Sequence, residues 1–215
     1  MNKGYFISFE GGEAAGKSLQ ISMLRQYIEK NLETDDFLFV REPGGTPLTE
    51  EIRRLLLNYE IDPPLPMTEL LLYCAARVED VQKRILPALE QGKVVIADRF
   101  YDSTIAYQGG ARGIMSEQGI LDLTEMTIGS VKPDLTIYLK VAPEIAIKRK
   151  QNLGNLDRIE KEGLDFYKKV QDGYDFISKK ESGRFVIIDG TKTPQEISNE
   201  IIDILSHKLP QQFKI

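Results

Sequence analysis

The sequence has one cysteine, one histidine and no tryptophan in 215 residues. A single thiol, Cys74, excludes an intramolecular disulfide framework and argues against a cysteine-based zinc site, which fits a reducing compartment. No apolar run reaches the roughly 18 residues a membrane-spanning helix needs. The first residues, MNKGYFISFEGG, lack the apolar core of a signal peptide. The expectation is a cytoplasmic protein with no membrane association. A basic excess is also missing: 28 Lys and Arg against 33 Asp and Glu leave a net charge of −5. Polymeric nucleic acid is therefore not an expected partner, and any phosphate binding must come from local clusters of Lys and Arg. Internal repeats, low-complexity tracts and Gly/Ser linkers do not occur.

What is present is the balance of a globular chain, 41% hydrophobic and 28% charged, in a length suited to one α/β domain over residues 1–215. The runs FISF (6–9), FLFV (37–40), VVIA (94–97), LTIYL (135–139) and FVIID (185–189) are short and rich in β-branched and aromatic residues. They read as strands buried on both faces of a sheet. Helical spacing predicts helices near 17–31, 49–57, 67–91, 117–129, 143–150, 158–180 and 194–208. Thr193-Pro194-Gln195-Glu196 marks the last start with an N-cap, a proline at N1 and an acid at N3. Alternating β and α units with right-handed crossovers predict a three-layer α/β/α fold around a doubly wound, mostly parallel five-stranded sheet. Ligands bind such sheets at the carboxyl edge of the strands.

Gly11-Gly12-Glu13-Ala14-Ala15-Gly16-Lys17-Ser18 is a full match to G-x-x-x-x-G-K-[ST], between a strand and a helix. This is the phosphate loop of the P-loop NTPase fold. Backbone N–H groups and the helix N-terminus meet the phosphate oxygens of ATP. Lys17 reaches the β- and γ-phosphates, and the Ser18 hydroxyl ligates the accompanying Mg²⁺. Between its fixed glycines the loop carries an acid, Glu13, and no base.

Three other groups carry chemistry. Arg41-Glu42-Pro43-Gly44-Gly45-Thr46 ends the second strand and reads equally as a polar turn or as a ligand contact. Asp98-Arg99-Phe100 ends the third. There a carboxylate can hold a Mg²⁺-bound water and a guanidinium can grip a second phosphate, although a surface ion pair would have the same pattern. Tyr73 and Arg77, at i and i+4, share a helix face. The pair suits a base stacked on the ring with its exocyclic oxygen on the guanidinium. Without context it is the pattern of a core aromatic beside a snorkelling arginine.

Taken in order, FEGGEAAGKS, REPGGT, YCAAR, DRFYDST, AYQGG and LDRIE resemble bacterial thymidylate kinase, from residue 5 to about residue 190. The resemblance implies a P-loop enzyme, usually dimeric, that transfers the γ-phosphate of Mg·ATP to dTMP. It places thymine against Tyr73, where the family more often has Phe, with Arg77 donating to O4. Thr104 and Gln108 fall near the base and sugar, and Tyr107 where it crowds a ribose 2′-OH. Arg41 and Arg99 hold the acceptor phosphate, Asp98 stands in the outer shell of Mg²⁺, and Glu13 reaches toward the 3′-OH of the acceptor. Some relatives carry an arginine where this chain has Ala14. The catalytic cations are therefore expected from a lid segment at about 148–160. That segment has Gln151 and Leu153 where related lids have arginines. Arg149 is expected on adenine, and Lys150 and Arg158 at the transferred phosphate, with Arg158 preferred. Two other readings stay open, another nucleoside monophosphate kinase of this fold and an ATP-dependent switch protein. Tyr73, Arg77 and Tyr107 weigh against the first, and Arg41 and Arg99 against the second.

Overall fold

Residue 7 to residue 9 of the first strand lies in the middle of the molecule because that strand has a neighbour on each side. In the computed structural model, which describes residues 4–58, 63–150 and 157–213, five parallel strands pair in the order β2-β3-β1-β4-β5. They are β1 (Tyr5–Glu10), β2 (Phe37–Arg41), β3 (Val94–Asp98), β4 (Leu135–Lys140) and β5 (Phe185–Asp189). Period-two alternation divides β1 between two cores. Ile7 and Phe9 pack with Leu24, Ile28, Ile201 and Leu205 on one side. Phe6 packs with Leu70, Ile85, Phe100 and Ile120 on the other. Ser8 and Glu10 continue that second face and are fully buried. The register aligns Phe9 with Asp98, Arg41 with Asp98 and Glu10 with Tyr138. Polar side chains from four separate stretches therefore reach one edge of the sheet.

The helices are α1 (Lys17–Asn31), α2 (Pro47–Asn58), α3 (Pro66–Asp80), α4 (Leu86–Glu90), α5 (Tyr101–Thr104), α6 (Glu117–Ile128), α7 (Pro143–Lys150), α8 (Leu164–Lys180) and α9 (Pro194–Lys208). The three layers are as expected, and the sheet is entirely parallel. Burial on both faces holds for β1, β3 and β4. It does not hold for the edge strands: β2 is mostly half-buried with Arg41 exposed, and β5 leaves both Ile187 and Asp189 exposed. An edge strand has one flanking neighbour, and less helix covers it.

Three helical expectations need correction. The stretch near 67–91 is one path interrupted by a wider π turn, Val81–Ile85. Pro87, in the first turn of α4, has no N–H and would clash with a carbonyl in a regular turn, so the backbone widens before it. The stretch near 158–180 becomes helical only at Leu164. Before it, Asp157 and Glu160 bond each other's backbone N–H groups (2.9 and 2.8 Å) in a tight turn. Residues 101–111, not expected to be helical, form α5 and a π turn, Ile105–Ala111. Gly109 and Gly110 disguised this element. It is held by tertiary contact: a Cβ on Gly173 of α8 would lie 2.7 Å from the Ala106 backbone. The start of α9 is as expected, with the Thr193 and Glu196 side chains bonding each other's backbone N–H groups at 3.3 and 2.9 Å. The Glu42–Pro43 peptide bond is cis.

Candidate active site

The phosphate loop leaves β1 through Gly11 (φ 143°) and enters α1 at Gly16 (φ 98°). A Cβ on Gly11 would sit 2.5 Å from the Leu139 carbonyl oxygen, so only glycine fits this close approach. Lys17 is buried, and its ammonium donates to the Gly11 and Gly12 carbonyls at 3.0 and 2.9 Å. Burial, and then the charge of Arg99, pull its pKa down to about 8, against the pull of Glu13 and Asp98. Ser18 Oγ donates to Asp98 Oδ2 at 3.0 Å. The loop opens onto a cavity of about 720 Å³.

A second cavity, about 100 Å³, lies between α3 and the α5–π segment. Tyr73, Arg77, Thr104, Tyr107 and Gln108 all line it, as do Arg53, Leu57, Phe100 and Ser103. Arg77 is buried. Its Nε donates to Glu42 Oε2 and its Nη2 to Thr104 Oγ1, both at 2.8 Å. Five donors sit on a guanidinium, so this anchoring fixes the plane of the fork while leaving other N–H groups for a ligand. Burial raises Glu42 to about 7 even though Arg77 pulls the other way. Its Oε1 is buried without a hydrogen-bond partner.

Glu13 and Arg99 line both cavities. Arg99 has φ 72°, a left-handed conformation that typically costs a side-chain-bearing residue about 1 kcal/mol or more and recurs at functional sites. Its guanidinium donates to Glu13 Oε1 (2.5 Å), the Gly11 carbonyl (3.0 Å), Ser103 Oγ (3.1 Å) and Tyr174 OH (3.2 Å). Tyr107 OH donates to the same Glu13 oxygen at 3.0 Å. Burial acts against the Glu13 charge, but Arg99 and then Lys17 outweigh it and hold the carboxyl below its ordinary range. Behind Arg99, Ser103 Oγ and Tyr174 OH donate to Glu10 Oε2 at 2.7 and 2.9 Å. Burial, followed by the charge of Asp102, raises Glu10 to about 7.

Arg41 lines only the larger of these two cavities, half exposed, with Nη2 donating to Glu50 at 2.8 Å. Arg53, not expected at the site, lines both, and its Nη1 donates to the Pro43 carbonyl at 3.0 Å. Its four-residue spacing from Leu57 on α2 was the only signal available, and it pointed to a face without saying what that face met. Arg149 lines the larger cavity, together with Lys192, Asp157 and Glu160, which had no expected role there. Lys150 does not join them. It is buried, with its Nζ 3.3 Å from Tyr167 OH and over that ring. Arg158 also differs from expectation: its guanidinium bonds the Glu69 carboxylate and donates to the Leu56 carbonyl at 3.0 Å. Gln151 and Leu153 lie outside the described residues. Lys17, Arg41, Arg53, Arg99, Arg149 and Lys192 thus give the larger cavity its positive charge, and none of them occupies the position of Ala14.

The Ser18 hydroxyl and Asp98 carboxylate are hard oxygen donors 3.0 Å apart at the loop, a fit for Mg²⁺. Among the described residues no cluster of three or more His, Cys, Asp or Glu could hold a metal. An ion here would complete its shell with phosphate oxygens and water.

Two cavities sharing one wall, one at the phosphate loop and one lined by aromatic rings and arginines, fit a P-loop kinase whose acceptor is itself a small phosphate ester. Comparison with known proteins narrows the class. The thymidylate kinase family model matches residues 9–201, and the chain belongs to the thymidylate kinase family. It is 43% identical over 197 residues to a thymidylate kinase of Kosmotoga olearia, covering 92% of this chain and 93% of the relative. It is 41% identical to that of Symbiobacterium thermophilum, covering 97% and 96%. The crystal structure of thymidylate kinase from Ehrlichia chaffeensis superposes with a TM-score of 0.78 at 33% identity, over 95% of this chain and 99% of that one. Among the described residues no helix is long and apolar enough to cross a membrane.

Proposed function

We propose that this protein phosphorylates dTMP to dTDP, with ATP as the phosphoryl donor. The observation that carries the assignment is the shared wall: Glu13 and Arg99 border both the phosphate loop and the base-sized cavity. Two substrates bound there bring their phosphates together. A dTMP phosphate oxygen attacks the γ-phosphorus, the bond to the β-bridging oxygen breaks, and ADP leaves. Lys17 neutralises charge on the β- and γ-oxygens, while Arg99 and Arg53 hold the acceptor phosphate in line. Positioning and charge neutralisation are most of what this transfer needs. Ser18 and Asp98 would hold Mg²⁺, which would supply charge neutralisation to the phosphates. Glu13, kept ionised by Arg99 and Lys17, accepts from the sugar, and the Tyr107 ring fills the space a 2′-OH would need. Arg149 faces adenine. Arg77 donates to thymine O4, where cytosine would present an opposing donor.

The family resemblance also supports a homodimer in the cytoplasm. Met67, Leu71 and Ala75 form an exposed i, i+4, i+8 row on α3, and Met126, on the neighbouring α6, is 84% exposed. Light scattering tests it by giving the mass of one chain or two. A coupled assay across dTMP, dUMP, dCMP, dGMP and UMP tests the activity. Phosphate appearing on dTMP well ahead of the other acceptors is expected. Free phosphate without an acceptor product would overturn the assignment.

A further inference from the structure

Glu69 is a carboxylate in the first turn of α3, 1% exposed, and the reaction has no evident use for it. Its two oxygens have different partners. Oε1 accepts from Gln108 Nε2 at 2.8 Å and, more weakly, from Arg112 Nε at 3.4 Å. Oε2 accepts from Arg158 Nη2. An ionised carboxylate can only accept. The amide nitrogen of Gln108 must therefore face Glu69, and the carbonyl oxygen is the polar atom left for the cavity that Gln108 lines.

We propose that Glu69 is a positioning residue for base selection, fixing the Gln108 amide so that it presents an acceptor to the bound pyrimidine. With Arg77 supplying donors from α3, the cavity then offers the base both a donor and an acceptor. A 4-keto pyrimidine has the complementary edge, an O4 acceptor next to an N3–H donor. Cytosine has the opposite edge at both positions, a 4-amino donor next to an N3 acceptor. Arg158 makes the device directional. It occupies Oε2 and so leaves Oε1 to Gln108. In the same arrangement Arg158 ties Asp157 and Ile159, which line the cavity, to the end of α2 through the Leu56 and Leu57 carbonyls. The inference rests on the dTMP kinase reading and adds to it the residue that sets the polarity of one of its base contacts.

Glu69→Gln is the sharpest test because it is isosteric. Arg158 would draw the carbonyl oxygen of the substituted side chain, which leaves the new amide N–H₂ facing Gln108. Gln108 must then rotate its oxygen toward position 69 and its N–H₂ toward the base. The expected result is a KM for dTMP raised about tenfold or more, as for a site whose buried polar groups are mismatched. The KM for dUMP should rise by the same factor, since its O4/N3–H edge is identical, while the KM for ATP stays within about twofold. The inhibition constant of dCMP relative to the KM for dTMP should fall by about tenfold or more. An unchanged dCMP-to-dTMP ratio, or a KM for ATP rising in proportion, would overturn the proposal and leave Glu69 a scaffold residue. If Glu69→Gln does not fold, Glu69→Asp, which keeps the charge but shortens its reach, should move the same two ratios in the same direction, and unmoved ratios would again overturn it. A wild-type protein that fails to phosphorylate dTMP would instead refute the kinase reading.

Discussion

The two halves of the active site are built by different means. The donor side is one continuous loop, Gly11 to Ser18, which offers backbone N–H groups, the Lys17 ammonium and the Ser18 hydroxyl. It opens onto a wide cavity of about 720 Å³. The acceptor side is a tight cavity of about 100 Å³, assembled from the turn after β2, α2, α3, the α5–π segment and the turn at 157–159. Its main polar side chains are held by other side chains: Arg77 by Glu42 and Thr104, Gln108 by Glu69, and Arg99 by Glu13 and the Glu10 cluster. A loop made largely of backbone grips phosphates and reads no base. A cavity whose donors and acceptors are fixed by ion pairs can refuse a base that differs by one exchanged hydrogen-bonding group. Generality and selectivity are thus segregated, and Glu13 and Arg99 are where they meet.

This contrast can be broken from either side. The largest effect is expected at the donor loop: Lys17→Ala should lower kcat by about a hundredfold or more, the scale of losing one preorganised electrostatic contact, as a coupled assay would show. At the shared wall, Arg99→Ala should raise the KM for dTMP by about tenfold or more and also lower kcat. Because Arg99 also donates to the Gly11 carbonyl of the phosphate loop, the KM for ATP should move as well, by less. On the acceptor side, Arg77→Ala should reduce the kcat/KM preference for dTMP over dCMP by about tenfold. A preference that survives this change would place base reading elsewhere.

The buried carboxyls give a pH signature. Glu10 and Glu42 are both raised from 4.5 to about 7 in the folded protein. Between those values the folded state holds protons that the unfolded state has released, so stability falls as pH rises across this window and levels off above about 7. Glu10→Gln should flatten part of that fall, read as melting temperature against pH. An unaltered slope would show that Glu10 is ionised throughout. The smallest effect belongs at the start of α9. Thr193→Ala, which removes the capping box of α9, should cost about 1 kcal/mol in denaturant unfolding, and because Lys192 and Pro194 beside it line the larger cavity, any change should fall on the KM for ATP and not on that for dTMP.

The sequence made the donor side legible because its chemistry is local. Strand, glycines, lysine and helix follow one another without interruption, and spacing alone orders them. The five strands and α9 were equally readable from period and capping. The acceptor side was legible only as motifs. Arg53 was missed because a cation on an amphipathic helix says nothing about what that face meets. The α5–π segment was missed because Gly110 serves close backbone contact with α8, far along the chain. Arg158 drew attention as a free cation of the lid, yet its guanidinium is bound to Glu69, 89 positions away.

By itself, then, the sequence determined that a phosphate loop follows the first strand, that the chain folds as alternating β and α units, and that Ala14 leaves the loop without a base between its fixed glycines. These depend on contacts between near neighbours in the chain. Only the tertiary structure decided that Glu13 faces Arg99 at the junction of two cavities, that Arg53 and Lys192 bring charge to the larger one, and that Glu69 orients Gln108. Those pairings join residues brought together by parallel crossovers, and their charges act strongly because folding has removed them from water.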